Sequence, residues 1–224
     1  MPGRPITIPI DATHGVSGVL HAPRTRSGDA LILAHGAGTD MTAPLLVAVA
    51  EGLAARGVTV LRFNSLQKEL GKKAPDTLAK FELAYQAAIA AMRARKPERL
   101  FLGGKSMGGR VASLLAAKGT ASDGLVFLGY PLHPAGHPEK LRDAHLPQIK
   151  APMLFVAGTR DALCDLALLR PVVARLKKRA AIHVVNGGDH SFDLLKSAGR
   201  DRESVHAEII TAIHGWITAR AKTR

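Results

Sequence analysis

A serine flanked by glycines stands where a predicted strand meets a predicted helix. Gly104, Ser106 and Gly108 form a G-x-S-x-G motif, preceded by the apolar run Leu100 to Gly103. A sharp turn from strand to helix forces its central residue into strained backbone geometry, and glycines two residues before and after it avoid clashes there. The motif therefore predicts an exposed serine hydroxyl, held above the end of a strand as a nucleophile.

The same turn supplies a group that can stabilise negative charge. The amide of Met107 lies at the start of the predicted helix, where backbone N–H groups face the oxygen that becomes negative during attack on a carbonyl. The alternative interpretation is a glycine-rich turn whose serine only caps the helix, because short motifs of this kind also occur by chance.

An acid and a base follow later in the chain, each just after a predicted strand. Asp161 follows the strand Met153 to Ala157, and His190 follows the strand that ends at Val185. A serine nucleophile needs a histidine to take its proton and a carboxylate to orient that histidine. The chain order serine, acid, histidine fits this requirement and predicts a triad of Ser106, Asp161 and His190.

Each partner also has an alternative role. Asp161 could cap the helix that follows it, and His190 could be a solvated loop residue. The competing carboxylates are Asp165, one helical turn beyond Asp161, and Asp189, adjacent to His190. A side chain normally points away from its neighbour's, which disfavours Asp189, and we expect Asp165 on the following helix.

Strands alternate with helical patterns along the chain, which predicts a largely parallel sheet. Short apolar runs indicate buried strands, and apolar residues at every third or fourth position indicate helices. The first two strands predict an antiparallel pair at the edge of the sheet. The predicted strands are Ile6–Ile10, Gly15–His21, Ala30–Ala34, Val58–Arg62, Leu100–Gly103, Leu125–Gly129, Met153–Ala157 and Ala181–Val185. The predicted helices begin at Pro44 and at Pro75–Asp76, and three more span Met107–Lys118, about Leu163–Lys178 and about Glu203–Arg220.

Length and composition predict one domain over residues 1–224, with 46% hydrophobic residues to build its core. The segment His133 to Lys150 resembles an insertion, but its prolines would interrupt any long helix. We therefore expect no cap domain.

The chain is strongly basic, with a formal net charge of +13 and a pI near 10.4. Such a charge can indicate binding to nucleic acid or to an anionic surface. Here the basic residues are dispersed, and aromatic residues make up only 4% of the chain, too few for a stacking surface. We expect no specific nucleic-acid binding. One basic loop contains Lys68, Lys72 and Lys73.

Further sequence features bear on compartment and cofactors. No apolar run reaches transmembrane length, and the N-terminal residues lack the apolar core of a signal peptide, so we expect a cytoplasmic protein without a membrane partner. The single cysteine, Cys164, fits no metal-ligand spacing, and we expect no metal. The loop from His35 to Gly38 lacks the third glycine of a dinucleotide-binding motif, so no cofactor is predicted.

These motifs resemble those of the α/β-hydrolase superfamily, and in particular its small, lidless dienelactone-hydrolase-like branch, related to the testis-expressed hydrolase-like proteins. The segments that carry the resemblance are LAHGAG, LRFN, APD, GGKSMGGR, GYPLHP, GTRD and GGDHSF. The resemblance implies the α/β-hydrolase fold, with a mostly parallel, doubly wound sheet of about eight strands and helices on both faces. It also implies that Ala37 donates a second oxyanion-hole amide, from a loop shaped by His35, Gly36 and Gly38.

The implied function is that of a serine hydrolase, carboxylesterase-like, which cleaves an ester, thioester or similar acyl bond of a small molecule as a monomer or small homo-oligomer. Dienelactone hydrolases carry a cysteine at the turn where this chain has Ser106, so their particular activity is not expected. A second hypothesis is a non-catalytic binding or scaffold protein of the same fold, for anionic partners. With no cap and few aromatic residues, the cleft is expected to be open and to favour short-chain esters. A bias toward anionic substrates would follow if the basic loop borders that cleft.

Overall fold

The apolar runs of the sequence become the strands of one sheet in the computed structural model, which describes residues 3–72 and 77–220. Their bounds are β1 (Arg4–Pro9), β2 (Gly15–His21), β3 (Asp29–Ala34), β4 (Thr59–Phe63), β5 (Arg99–Lys105), β6 (Gly124–Leu128), β7 (Met153–Gly158) and β8 (Ala180–Val185). The strand order is β1-β2-β4-β3-β5-β6-β7-β8. This order puts β1 and β8 at the two edges.

The sheet is parallel except at one edge. Strands β1 and β2 pair antiparallel, as do β2 and β4, and all pairs from β4 to β8 are parallel. The central strands β3, β6 and β7 are buried along their whole length, as expected for strands covered on both faces. The predicted mostly parallel sheet with an antiparallel edge pair is confirmed.

Helices cover both faces of the sheet. They are α1 (Pro44–Ala54), α2 (Leu66–Glu69), α3 (Leu78–Arg93), α4 (Met107–Ala117), α5 (Leu166–Leu176) and α6 (Arg202–Ala219). Helices α1 and α6 share one apolar core with the sheet. Helices α3, α4 and α5 share the other, which lies on the opposite face. The doubly wound arrangement is therefore also confirmed.

Some local details differ from the sequence-based expectations. Helix α5 begins at Leu166, three residues later than expected, because the Asp165 carboxylate accepts a hydrogen bond from the Ala167 amide at 2.7 Å and caps the helix there. The expected opening of α3 at Pro75–Asp76 lies outside the described residues. The short helix α2 was not expected.

The segment between β6 and β7 builds no cap. Within residues 133–150 the structure shows a single 3₁₀ turn, Leu146–Gln148, and otherwise irregular backbone. This agrees with the expectation of an uncovered site at the carboxyl ends of the parallel strands, where ligands bind in open α/β sheets.

The backbones of β3, β5 and α4 come together at two glycines, Gly104 near the end of β5 and Gly108 in the first turn of α4. A side-chain carbon added at Gly104 would lie 2.6 Å from the carbonyl oxygen of Ala34, and one added at Gly108 would lie 2.5 Å from that of His35. Both neighbours are backbone atoms in a buried part of the sheet, so they have little freedom to move aside. Only glycine fits at these positions.

Gly108→Ala is expected to lower the free energy of unfolding by about 2 kcal/mol or more, because the added methyl group forces two packed backbones apart. Gly215→Ala is the matched control, since a side-chain carbon at Gly215 of α6 would have no neighbour within 4 Å. That change should raise the free energy of unfolding by about 0.5–1 kcal/mol, as alanine is the better helix former. Urea unfolding measures both values. Equal stability of Gly108→Ala and the wild type would contradict the close-approach constraint.

Candidate active site

Ser106 occupies a strained turn between β5 and α4. Its φ is 50° and its ψ is −114°, a conformation that residues with side chains rarely adopt. The Ser106 amide donates a hydrogen bond to the carbonyl of Leu128 at 2.9 Å, which ties the turn to the end of β6. The turn holds the hydroxyl at the carboxyl edge of the sheet.

The structure brings Ser106, His190 and Asp161 into one chain of hydrogen bonds. The Oγ of Ser106 lies 2.9 Å from Nε2 of His190, and Nδ1 of His190 lies 2.9 Å from both carboxylate oxygens of Asp161. A carboxylate can only accept, so Nδ1 carries the ring proton and Nε2 is free to accept the serine proton. The arrangement can therefore draw a proton away from Ser106.

Burial differs along this chain of contacts. The Asp161 side chain is fully buried, whereas a quarter of the His190 side chain is exposed. The Asp161 carboxylate also accepts the Leu163 amide at 2.8 Å. The acid is thus fixed in place, while the imidazole faces the open side where a substrate can arrive.

The competing carboxylates are engaged elsewhere. Asp165 caps α5, and Asp189 accepts the amides of Ser191 and Asp193 at 2.8 and 3.0 Å, which shapes the loop that carries His190. We call residues 186–193 the histidine loop. Neither Asp165 nor Asp189 hydrogen-bonds to His190.

The two candidate oxyanion donors come from two different segments of the chain. The Met107 amide is the first of α4, where helix N–H groups have no partner within the helix. Ala37 is exposed in the loop after β3, residues 35–43, which we call the oxyanion loop. Gly36 lies against the nucleophile, because a carbon added there would sit 3.5 Å from Cβ of Ser106. Gly38 has a φ of 75°, a left-handed backbone conformation that favours glycine.

A second serine–histidine contact has different surroundings. The Oγ of Ser113 lies 2.8 Å from Nε2 of His145, but it also donates to the carbonyl of Arg110 at 2.7 Å. Ser113 has no exposed surface and sits on the inner side of α4. A substrate cannot reach it, so this pair contributes to packing rather than to a site.

The fold agrees with comparisons to known proteins. Residues 27–218 match the family model described as the alpha/beta hydrolase domain. The chain belongs to the α/β-hydrolase family. Among solved structures, a serine hydrolase without a lid from Xanthomonas campestris is 18% identical, with a TM-score of 0.74 and 96% of this chain and 95% of that chain covered.

Two further solved structures are similar to this α/β hydrolase. A dienelactone hydrolase from Anabaena variabilis is 17% identical, with a TM-score of 0.76 and 97% of each chain covered. Est1E from Butyrivibrio proteoclasticus, with ferulic acid bound, is 19% identical, with a TM-score of 0.77 and 97% of this chain and 100% of that chain covered. The expected fold and its small, lidless branch are confirmed, and family and fold support a hydrolase.

The oxyanion loop of this α/β hydrolase is anchored from β4 and the residues after it. His35 is buried, its Nδ1 donates to the carbonyl of Gly36 at 2.8 Å, and its Nε2 accepts the Ser65 amide at 3.0 Å. At the far end, the Asn64 side chain accepts the Met41 amide at 3.0 Å, and the Arg62 guanidinium donates to the Met41 carbonyl. Both ends of the loop are fixed.

Sequence reasoning missed Arg62 and Asn64 as residues that support the candidate site. Arg62 is 5% exposed, between two buried apolar residues of β4, and burial lowers the pKa of its guanidinium. It donates to Nε2 of His21 as well as to the oxyanion loop. A buried arginine needs such acceptors, so an arginine inside a predicted buried strand was the available signal.

Lys105 was missed as well. A carbon added at Gly129 would lie 3.1 Å from Nζ of Lys105, 3.2 Å from the carbonyl oxygen of His190 and 3.4 Å from a carboxylate oxygen of Asp161, so these groups surround one small gap. Burial lowers the pKa of Lys105 to about 8, against the attraction of Asp161 and Asp189. The Lys105 ammonium therefore lies near Asp161 and His190, and its burial lowers the free energy of unfolding.

No group of three or more His, Cys, Asp or Glu side chains within residues 3–72 and 77–220 is arranged to hold a metal ion. The buried thiol of Cys164 has a pKa raised to about 12, chiefly by burial.

None of the helices in the described part of the chain is both long and apolar enough to cross a membrane.

Lys105→Met is expected to raise the free energy of unfolding at pH 7 by about 1–3 kcal/mol, because it removes a partly desolvated charge. The unfolded chain holds its lysine proton up to the usual pKa of 10.5, whereas the folded chain loses it near 8. Between these values the unfolded state binds more protons, so the wild type gains stability as pH rises and the advantage of the variant shrinks.

Urea unfolding at pH 7 and at pH 10 measures this difference, with the exposed Lys140→Met as control. The Lys140 variant should show no comparable change with pH. If Lys105→Met raised the free energy of unfolding by the same amount at both pH values, the Lys105 ammonium would not be desolvated by burial.

Proposed function

We propose that this α/β hydrolase is a carboxylesterase-like serine hydrolase that cleaves an ester, thioester or similar acyl bond of a small molecule. The observation that carries the proposal is the continuous hydrogen-bond chain from the strained Ser106 through His190 to the buried Asp161. A fold likeness alone could not support it, because one fold serves many functions.

In the proposed reaction, His190 Nε2 takes the hydroxyl proton as Ser106 Oγ attacks the carbonyl carbon. The carbonyl oxygen becomes an oxyanion and accepts hydrogen bonds from the amides of Ala37 and Met107. Collapse of this intermediate returns the proton from His190 to the departing oxygen or sulfur and leaves the acyl group on Ser106. Water then gives a proton to His190 as its oxygen attacks the acyl carbon, and collapse of this second intermediate returns the proton from His190 to Ser106 Oγ and releases the acid.

Asp161 has a separate task in this scheme. Its buried carboxylate keeps the proton on Nδ1 of His190 and stabilises the imidazolium that forms during attack. No step of the proposal calls on a metal or an organic cofactor.

The uncapped edge of the sheet supports a small ester as the substrate class. Residues 133–150 form no covering helix, and an open cleft offers little apolar surface to a long acyl chain. The Est1E structure holds ferulic acid, a small carboxylic acid, which is consistent with this choice. Of the three lysines in the basic loop, the structure describes Lys68 and Lys72, and Lys73 lies outside the described residues.

Ser106→Ala should abolish labelling by a fluorophosphonate probe and reduce ester turnover by roughly four to six orders of magnitude, because the attacking oxygen is gone. Ser113→Ala is the matched control and should label like the wild type. Gel fluorescence with the probe and hydrolysis of p-nitrophenyl acetate measure both effects. Turnover by Ser106→Ala above about a tenth of the wild-type value would rule out this nucleophile.

Asp161→Asn should lower turnover by about ten-thousand-fold, because an amide that donates to Nδ1 leaves His190 in the wrong tautomer. Asp165→Asn keeps a side-chain oxygen to cap α5 and should retain near-wild-type turnover. The comparison of kcat for the two variants decides between the carboxylates. A large loss in Asp165→Asn together with an active Asp161→Asn would move the acid to Asp165.

A further inference from the structure

Positive charge is concentrated at the edge of the sheet opposite the candidate active site. Six loops lead into the amino ends of the parallel strands β3 to β8, and they carry ten lysine and arginine residues but only two acidic residues. We call these loops the cationic edge, which consists of residues 22–28, 55–58, 94–98, 118–123, 149–152 and 177–179.

The edge that carries the candidate site has the reverse balance. The loops that follow β3, β6, β7 and β8 carry five lysine and arginine residues and eight acidic residues. These loops are residues 35–43, 129–148, 159–165 and 186–201. Basic residues that are dispersed along the sequence are thus brought together by the parallel sheet, and most of the net charge of +13 lies on the side away from Ser106.

The cationic edge has a fixed shape, because hydrogen bonds join its loops. The Ser27 amide donates to the Gly57 carbonyl at 2.9 Å, and the Glu98 amide donates to the Gly28 carbonyl at 2.9 Å. The Arg179 guanidinium donates to the carbonyl of Ile149 and joins two further loops. A surface that is already ordered loses little conformational entropy when it binds a partner.

A groove runs along the cationic edge. Four hollows of about 430, 470, 280 and 410 Å³ follow one another, and each shares a lining residue with the next, first Arg26, then Lys96, then Ala121. They lie at the amino ends of β4, β3, β5, β6 and β7, which are consecutive in the sheet. With about 4.8 Å between neighbouring strands, the groove is about 19 Å long.

Most of the positive charge along the groove is not neutralised by the protein. Within residues 3–72 and 77–220, Lys118 is the only one of the ten cations that forms an ion pair, with Glu82 at 2.6 Å. Glu98 lines the groove and is exposed. The cationic edge therefore attracts anions, and Glu98 opposes this attraction locally.

Two lysines of the cationic edge have an unfavourable backbone conformation. Lys96 has a φ of 52° and Lys177 a φ of 55°, in the left-handed region where helices usually end in glycine. The other non-glycine residues of the described chain with positive φ are Ser106 and Phe192, at the candidate active site. Such conformations are frequent at functional sites, which supports a function for these two lysine side chains.

The lining of the groove indicates which anion fits it. Among the described residues, no aromatic side chain lines the four hollows, so nucleic-acid bases would have no stacking partner there. The large apolar side chains that are exposed in the described chain lie outside the cationic edge, so none is placed to insert into a bilayer. They are Leu70, Leu83, Leu141 and Leu195. A nucleic-acid duplex instead presents its phosphates on the outside, with one charge per about 1.7 Å of helix axis.

We propose that the cationic edge binds the phosphate backbone of double-stranded nucleic acid, without sequence preference, along the groove from Arg56 to Lys150. Arg26, Arg95 and Lys96 line the same hollow and contact phosphates there. Strands of six residues place this surface about 20 Å from the candidate active site, so the proposal does not depend on the hydrolase function. The expectation from the sequence concerned specific recognition, whereas backbone contacts carry no sequence information.

Fluorescence anisotropy of a short labelled DNA duplex, titrated with the protein at several salt concentrations, tests the proposal. For the wild type, the logarithm of the association constant should fall with the logarithm of salt concentration with a slope of about −4 to −6, as for about five phosphate contacts. The triple variant Arg26→Gln/Arg95→Gln/Lys96→Gln should make this slope shallower by about 2 to 3 and weaken binding at least about tenfold. Duplexes of unrelated sequence should bind equally.

The matched control is Lys80→Gln/Lys140→Gln/Lys196→Gln, which removes the same charge from exposed lysines outside the cationic edge. Lys80 lies in the first turn of α3, and the other two lie in loops at the edge of the candidate site. Because charges further apart than about 8 Å are screened at physiological salt, this control should weaken binding less than about threefold. Glu98→Gln removes the opposing carboxylate and should tighten binding about threefold.

Four results would overturn the proposal. Equal losses of affinity in the two triple variants would show that binding follows net charge and not the groove. Tighter binding of single-stranded DNA than of the duplex at the same salt would assign the groove to single strands. Sedimentation with vesicles of phosphatidylcholine and phosphatidylserine, lost in the first triple variant, together with no response to the duplex would assign the cationic edge to a membrane. No binding of either probe at about 50 mM salt would leave the edge without a polyanionic partner.

Discussion

The contact between the backbones of β3 and α4 is the constraint on which the site depends. Gly104 and Gly108 allow the start of α4 to press against the carbonyls of Ala34 and His35 with no side chain between them. This contact places the oxyanion loop, which leaves β3, beside the serine that leaves β5. A wider spacing would separate the proposed nucleophile from the amides that are proposed to stabilise the product of its attack.

The parallel arrangement of the strands brings the three side chains of the candidate site together. Ser106, Asp161 and His190 follow β5, β7 and β8, so their strands all end at the same edge of the sheet. Residues 84 positions apart thereby come within 2.9 Å. Around them, hydrogen bonds from the segment after β4 hold the oxyanion loop at both ends, so its position is fixed before any ligand arrives.

The sequence was informative wherever function follows from local pattern. Apolar runs in the sequence predicted the buried strands. Ser106, Asp161 and His190 each follow shortly after such a run. The start of α5 was misplaced because Asp161 and Asp165 are both suitable helix caps, and only the fold shows that one caps while the other faces His190. The roles of Asn64 and Lys105 depend on residues distant in sequence, which no local pattern encodes.

The position of His190 after β8 links the candidate site to one edge of the sheet. β8 is an edge strand whose residues are mostly half-buried, whereas β7 beside it is buried throughout. Strands with few buried contacts open more readily than the centre of a sheet. A fluctuation that peels β8 away would withdraw the imidazole while Ser106 stayed in its central turn. Loss of the proposed base would then precede global unfolding, and heat or denaturant would disable the candidate site in a chain that is still mostly native.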